Sequence, residues 1–323
     1  MSTFSTTALA DGGKAIALTV VFGLVLAFYP VVSIAAIAVI PIPAAYVTAR
    51  HGAAAGVAVG VLAGLICLLF EPLSGLLTCL LALIAGVGAG IALRRGISQS
   101  RLMQVLVGLF FLAFAAWAGV TLLNMGMGPV AAMQQASGQL VENARQTLAV
   151  AMGQDNANAY AQDLRDSLGV APYLMPALLL VLSSMFAWAC TVLARKVFDR
   201  LRQPFPHDFS FKEFRLHYVF IYMVSIGVGC ELYAYFMNAG GGVVDLVGMN
   251  LLTFSLALFF VQGLAVAHYF LSYYKVSKPK RLAVYALLMV LQMFLLMVTW
   301  MGLFDGGLDY RRRFNKDKTQ SQH

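Results

Sequence analysis

Apolar runs long enough to cross a bilayer recur along nearly the whole chain, and no other feature narrows the possible folds so far. A helical crossing takes about 20 predominantly apolar residues, because the hydrocarbon layer is about 30 Å thick. Backbone amides inside lipid must find partners within the structure, which leaves helices and closed barrels as spanning elements. The runs are continuous rather than alternating, so they read as helices. They fall at roughly 15–29, 31–49, 53–70, 73–93, 102–124, 172–194, 217–237, 249–273 and 281–303. The expected fold class is therefore all-α, a polytopic helical membrane protein with about 8–9 transmembrane helices.

Of the 323 residues, 60% are hydrophobic and 11% charged, against roughly 25% charged in a soluble domain. Little chain is left over for a soluble domain, and the lipid bilayer is the first partner. Residues 1–14 form a polar N-terminal segment, and the apolar run behind it continues past Tyr29 towards Arg50 without a small-residue cleavage site. It therefore reads as retained membrane structure and not as a cleaved signal peptide. A net charge of +8 could point to nucleic acid, but the bases sit at the ends of apolar runs, where membrane topology places them. No nucleic-acid partner is expected.

Those bases also set the orientation. Arg50 with His51, Arg94-Arg95 with Arg101, Arg195-Lys196-Arg200-Arg202, and Lys275-Lys278-Lys280-Arg281 mark cytoplasmic ends. The connections around Glu71, 125–170 and 238–243 are almost free of Lys and Arg and alternate with them. The amino terminus is thus expected inside. The tail breaks the pattern: Arg311, Arg312, Arg313, Lys316 and Lys318 belong inside, yet a full set of crossings leaves them outside. Either one run after residue 217 does not cross, or the tail tolerates the wrong side. Pro30 likewise leaves two readings of the first runs, a tight hairpin or one broken crossing.

The polar loop 129–170 carries Met133, Leu140, Ala144, Leu148 and Met152 at helical spacing. This predicts an amphipathic helix, lying on the membrane surface, roofing a cavity, or merely covering helix ends.

Small residues make three faces in the first half. Gly52, Gly56, Gly60 and Gly64 recur every fourth position; Ala15, Thr19, Gly23 and Ala27 form a second stripe; Thr78, Ala82, Gly86 and Gly90 form a third. Helices in lipid associate through close backbone approach, which such faces permit, either within the chain or against a partner. Arg50 and His51 read as a cytoplasmic anchor at the headgroup level.

Ionisable groups within spans are costly and point to function. Glu231 is the carboxylate well inside an apolar run, and Gln262, His268 and Gln292 are further polar groups along the last two spans. These four are the candidate ligand or ion contacts, with a Gln262–Gln292 hydrogen bond as the structural alternative. The four cysteines form no C-x-x-C pair and the five histidines no H-x-x-x-H, so no metal site or disulfide framework is expected. No nucleophile constellation or phosphate loop is present, since "DGGKAI" at 11–16 lacks the glycine spacing and the hydroxyl residue after lysine. The chain is not expected to be an enzyme or to hold a cofactor.

Three motifs, "PIPAAYVTARHG" (41–52), "VQGLAVAHYF" (261–270) and "GLFDGGLDYRRRF" (302–314), resemble the YybS-like family of bacterial membrane proteins, over about residues 14–314. The family is of unknown function, and the resemblance implies a multi-pass protein of the inner membrane of a bacterial cell. The resemblance implies remote similarity to the S components of energy-coupling-factor transporters and to the cell-shape protein MreD. It implies an S-component-like half over 15–200, additional transmembrane helices over 201–304 and a basic tail over 305–323. By the same resemblance Ala15, Thr19 and Gly23 stand where S components dock on a coupling protein, and Asp305, Asp309 and Arg311 belong to a shared ending, where Asp and Arg pair along one turn or cap the last helix. Two functions follow as expectations. One is binding or transport of a small molecule with an energising partner, a coupling protein and ATPases. The other is a non-catalytic scaffold that assembles membrane or cell-envelope proteins.

Overall fold

The first helix starts inside the expected polar N-terminal segment. In the computed structural model, which describes residues 6–208, 210–308 and 311, α1 runs Thr6–Phe28. Its polar start is tied down: Arg50 Nη1 donates to Asp11 Oδ2 at 2.9 Å, and His51 Nε2 lies 2.8 Å from the same oxygen. Arg50 and His51 are thus held by α1, a partner that the headgroup reading did not supply. Pro30 opens α2 (Pro30–Val39) and Pro41 opens α3 (Pro41–His51). A proline in the first helical position gives up no hydrogen bond. The prolines therefore punctuate the chain without ruining it, and Val32–His51 is long enough to cross as a second span. The first two runs are two helices and not one broken crossing.

Gly52, at φ 104°, turns the chain into α4 (Ala53–Leu68). With 16 residues, α4 reaches about 24 Å, short of the hydrocarbon thickness. The next span, Pro72–Arg94, is built from α5 (Pro72–Leu80), a π-helical stretch Leu81–Val87, and α6 (Gly88–Arg94). Glu71 caps it. Its carboxylate accepts from Leu73 N at 3.1 Å and from Ser74 N, and hydrogen bonding by Ser74 holds the group below its ordinary value against a smaller opposing effect of burial. A carboxylate depressed in the folded state stabilises above its unfolded value of 4.5 and loses that contribution as pH falls. Glu71→Ala should lower stability by about 1 kcal/mol at pH 7, and the difference from wild type should shrink in thermal melts taken below pH 4. A constant difference across that range would assign the loss to something other than the charged cap.

Helix α7 (Gln99–Met125) is capped by Ser98 Oγ, which accepts from Arg101 N, and by Asp208, which accepts from Gln99 N at 2.7 Å. The polar loop folds as two helices, α8 (Pro129–Met152) and α9 (Gln154–Leu168), joined at Gly153 with φ 83°. Met133, Leu140, Ala144, Leu148 and Met152 all fall in α8; Leu140 and Met152 are exposed, and the positions buried by the pair are Val141, Ala157 and Ala161. The last elements are α10 (Met175–Arg200), α11 (Val219–Phe236), α12 (Val243–Tyr273), α13 (Lys278–Leu295) and α14 (Met297–Leu308).

Among the described residues, seven helices are long and apolar enough to span, or eight if α13 and α14 count as one bent span, with α4 as a shorter apolar helix. This is the all-α polytopic class expected. The chain forms two compact units, Met1–Pro172 with Leu182–Asp208, and Tyr173–Val181 with Phe209–His323. A short stretch before 182 joins the second unit, whereas the sequence placed a boundary at 200. Asn250 explains it: its Nδ2 donates to Tyr173 O at 2.8 Å and its Oδ1 accepts from Ala177 N at 3.0 Å, satisfying the start of α10 from within α12. In the first unit, Phe110, Phe114 and Phe186 pack as an aromatic cluster, and Phe198 lies against Tyr46 and Phe205.

Candidate functional site

The chain breaks between α13 and α14. Leu296 takes φ 47° and ψ 29°, a left-handed conformation costly for a branched residue, and the two helices meet at 95°. Gln292 bridges the break. Its Nε2 donates to Thr299 Oγ1 at 2.8 Å and its Oε1 accepts from Thr299 N at 3.1 Å, which satisfies a backbone group at the start of α14. Beside the break lies a shallow, largely open pocket of about 240 Å³, lined by Leu256, Ala257 and Phe260 of α12 and by Gln292, Leu296 and Thr299.

Helix α14 reaches α12 through two glycines. A Cβ at Gly263 would lie 1.8 Å from Val298 O, and one at Gly302 would lie 1.9 Å from Phe259 O. The backbones touch, and no side chain other than hydrogen fits at either position. Just beyond the crossing, Gln262, fully buried, accepts from Leu216 N at 3.0 Å and donates to Asp305 Oδ2 at 3.1 Å. Asp305 in turn holds Arg311, whose Nε lies 3.2 Å from either carboxylate oxygen. The guanidinium also donates to Lys212 O at 2.8 Å and Phe214 O at 2.9 Å. Asp305 and Arg311 are each 3% exposed. Every polar group of this buried cluster thus has a partner, the condition under which buried charge is tolerated.

The expected Gln262–Gln292 bond does not form. Gln262 is bonded to Leu216 N and Asp305, and Gln292 to Thr299, so each amide has its own partners. His268 lies nearer the end of α12, with Nδ1 2.8 Å from Tyr285 Oη and its ring 5.9 Å from Phe211, so it ties α12 to α13. Glu231 belongs to a different place, the crossing of α11 and α12 at Gly227 and Gly248. Its Oε1 is buried and has no hydrogen-bond partner among the described residues. Asp245, buried close by, accepts from Gly241 N at 2.6 Å. Glu231 lies opposite Gly248, about 20 Å along α12 from Gln262, so the four candidate contacts do not converge. The Asp305–Arg311 pair spans six residues and not one helical turn; Asp309 lies outside the described residues.

The small-residue faces of the first unit meet the chain's own side chains. A Cβ at Gly56 would lie 1.8 Å from Thr48 Oγ1; at Gly60 it would meet Leu83, at Gly64 Cys79, at Gly52 Arg94, and at Gly23 Cys67 and Thr78. Gly86 lies against Pro41 and Ala44, and Gly90 against Ala45 and Thr48. Ala15, Thr19, Thr78 and Ala82 are buried, and Ala27 is half-buried. In the third stripe the π-helical stretch, with its wider turn, contains Ala82 and Gly86 and carries the face on to Gly90.

A family model described as a predicted membrane protein (DUF2232) matches residues 17–306. The chain belongs to this family. Among curated proteins, this DUF2232 chain is 23% identical to the uncharacterized protein YybS of Bacillus subtilis over 328 residues, covering 95% of this chain and 98% of that protein. No solved structure matches. The YybS-like resemblance carried by the three motifs is therefore correct, and the protein is a multi-pass membrane protein. The matched region includes Gln262, Gly263, Gly302 and Asp305. Sequence reasoning singled out Gln262 alone for chemistry, although "VQG" and "GLFDGG" were already quoted as motifs. What it lacked was the pairing of those two motifs in space.

Proposed function

We propose that this DUF2232 protein is a non-catalytic inner-membrane protein that binds a small molecule at the α13–α14 break and moves it, by conformational gating, with a separate energising partner. The observation that carries this reading is the open pocket of about 240 Å³ at an interrupted helix. Interrupted membrane helices leave backbone groups that lipid does not satisfy, and such breaks are tolerated where they line a cavity or are buried in protein. The lining is apolar apart from Gln292 and Thr299, which suits a small, mostly apolar molecule with one amide or hydroxyl group. The S-component similarity implied a cavity under the 129–170 segment in the first half; the site proposed here lies in the second unit.

The scaffold alternative has less support, because a partner docking on the glycine faces would have to displace Thr48, Leu83 or Cys79. A ligand that binds only the folded state raises apparent stability by about 2.7 kcal/mol at a hundredfold excess over Kd. Screening purified protein by thermal melting against a metabolite panel should give compounds that raise the midpoint. Ala257→Trp, which fills the pocket, should abolish that shift without lowering the baseline midpoint. A panel without a responder, or a shift that Ala257→Trp leaves intact, would count against the site.

A further inference from the structure

We propose that α13 and α14 form a re-entrant hairpin that enters and leaves the membrane on the same side, so that Arg311 returns to the side of Lys212, Lys275, Lys278 and Lys280, and that these four lysines form a surface for anionic phospholipid headgroups. The inference does not depend on the ligand pocket. It rests on where the last described residue is held.

Helix α12 provides the scale. Asp245 lies at one end and the turn Lys275–Arg281 follows the other. Gln262 is 11 residues from Tyr273 and 19 from Val243, about 16 Å and about 28 Å at the rise of a helix. Asp305 is bonded to Gln262, and Arg311 to the carbonyls of Lys212 and Phe214. These lie between Leu216, bonded to Gln262, and Phe211, whose ring contacts His268. The end of α14 therefore sits at the level of 262–268, in the half of α12 from which α13 departed. A crossing helix would have carried Arg311 towards the Asp245 end. The 95° turn at Leu296 and the backbone contact at Gly263–Gly302 are what allow twelve residues to fold back so early.

This also removes the conflict in the charge pattern. With the hairpin re-entrant, the bases at 311–318 share a side with Lys275, Lys278, Lys280 and Arg281, as the distribution of Lys and Arg requires. Lys212, Lys275, Lys278 and Lys280 are all exposed. Clusters of four or more bases next to a membrane helix attract anionic headgroups through the surface potential.

The test uses the full-length chain. Green fluorescent protein, which fluoresces only inside, and alkaline phosphatase, active only outside, are fused in turn after His323 and, as references, after Ser277 and after Gly240. The C-terminal fusions should behave as those at Ser277 do. Phosphatase activity at the tail matching that at Gly240 overturns the proposal. For the lipid surface, the protein is reconstituted in nanodiscs of phosphatidylcholine with 30% phosphatidylglycerol, and co-purifying lipid is measured after detergent extraction. At least threefold enrichment of phosphatidylglycerol is expected, falling to near unity in the variant Lys212→Gln, Lys275→Gln, Lys278→Gln, Lys280→Gln. Equal retention of both lipids by wild type, or enrichment undiminished in the variant, overturns the lipid assignment while leaving the fusion result to decide the topology.

Discussion

Gly302→Leu should eliminate recoverable folded protein. A Cβ at this position would sit 1.9 Å from Phe259 O and 2.7 Å from Gly263 N. Overpacking in a core ordinarily costs about 1–3 kcal/mol, because side chains turn aside. Here the obstacle is helix backbone, which cannot turn aside, so α14 must lift away from α12 along its contact. That removes the crossing and drags Asp305 from Gln262. The expected loss is a large part of the roughly 5–15 kcal/mol by which folded proteins are stable. Gly302→Ala is the graded version and should cost about 3 kcal/mol. Gly307→Ala is the control, since nothing lies within 4 Å of its added Cβ, and should change stability by less than about 0.5 kcal/mol. Yield of monodisperse protein in detergent and its melting midpoint report all three. A Gly302→Leu protein of normal yield and midpoint would mean that the two helices are not in backbone contact.

Arg311→Met carries the second largest effect. It leaves the Asp305 carboxylate buried and takes the donors from Lys212 O and Phe214 O. Breaking a buried pair by removing one partner costs about 3–5 kcal/mol, much of it the burden of the remaining charge. Asp305→Asn should cost less on its own, since the guanidinium keeps its two carbonyls. The double variant should be more stable than Arg311→Met alone, because the orphaned charge is gone. A double-mutant cycle with strong non-additivity is thus expected. Additive effects would show that the two groups are not coupled, contrary to their separation and burial.

The last span shows how far the residues by themselves could be read. The apolar count over 281–303 was sufficient to mark a membrane segment, but hydropathy is blind to a single left-handed residue. Leu296 has no helix-breaking signature, since leucine is a good helix former; it is bent by the fit of Gly302 into α12 and by the Gln292 bridge to Thr299. The same limit explains the polar residues. Gln262, Gln292 and His268 were found because polar groups in apolar runs are conspicuous, but their partners come from Leu216, Asp305, Thr299 and Tyr285, up to 46 residues away. Asp305 and Arg311 looked like a local pair on the ending of the chain. Only the return of α14 to the 212–214 carbonyls makes them a buried latch.

Class and the approximate apolar spans were determined by the sequence alone, because the cost of leaving backbone amides unsatisfied in lipid falls residue by residue and shows in composition. The glycine faces were legible as packing surfaces for the same reason: a missing side chain is visible wherever it stands. Their occupants, Thr48, Leu83 and Cys79 for the ladder and Val298 and Phe259 for Gly263 and Gly302, were decided by tertiary structure. Which backbone approaches which depends on the shapes of both helices together, and no single stretch of sequence contains both.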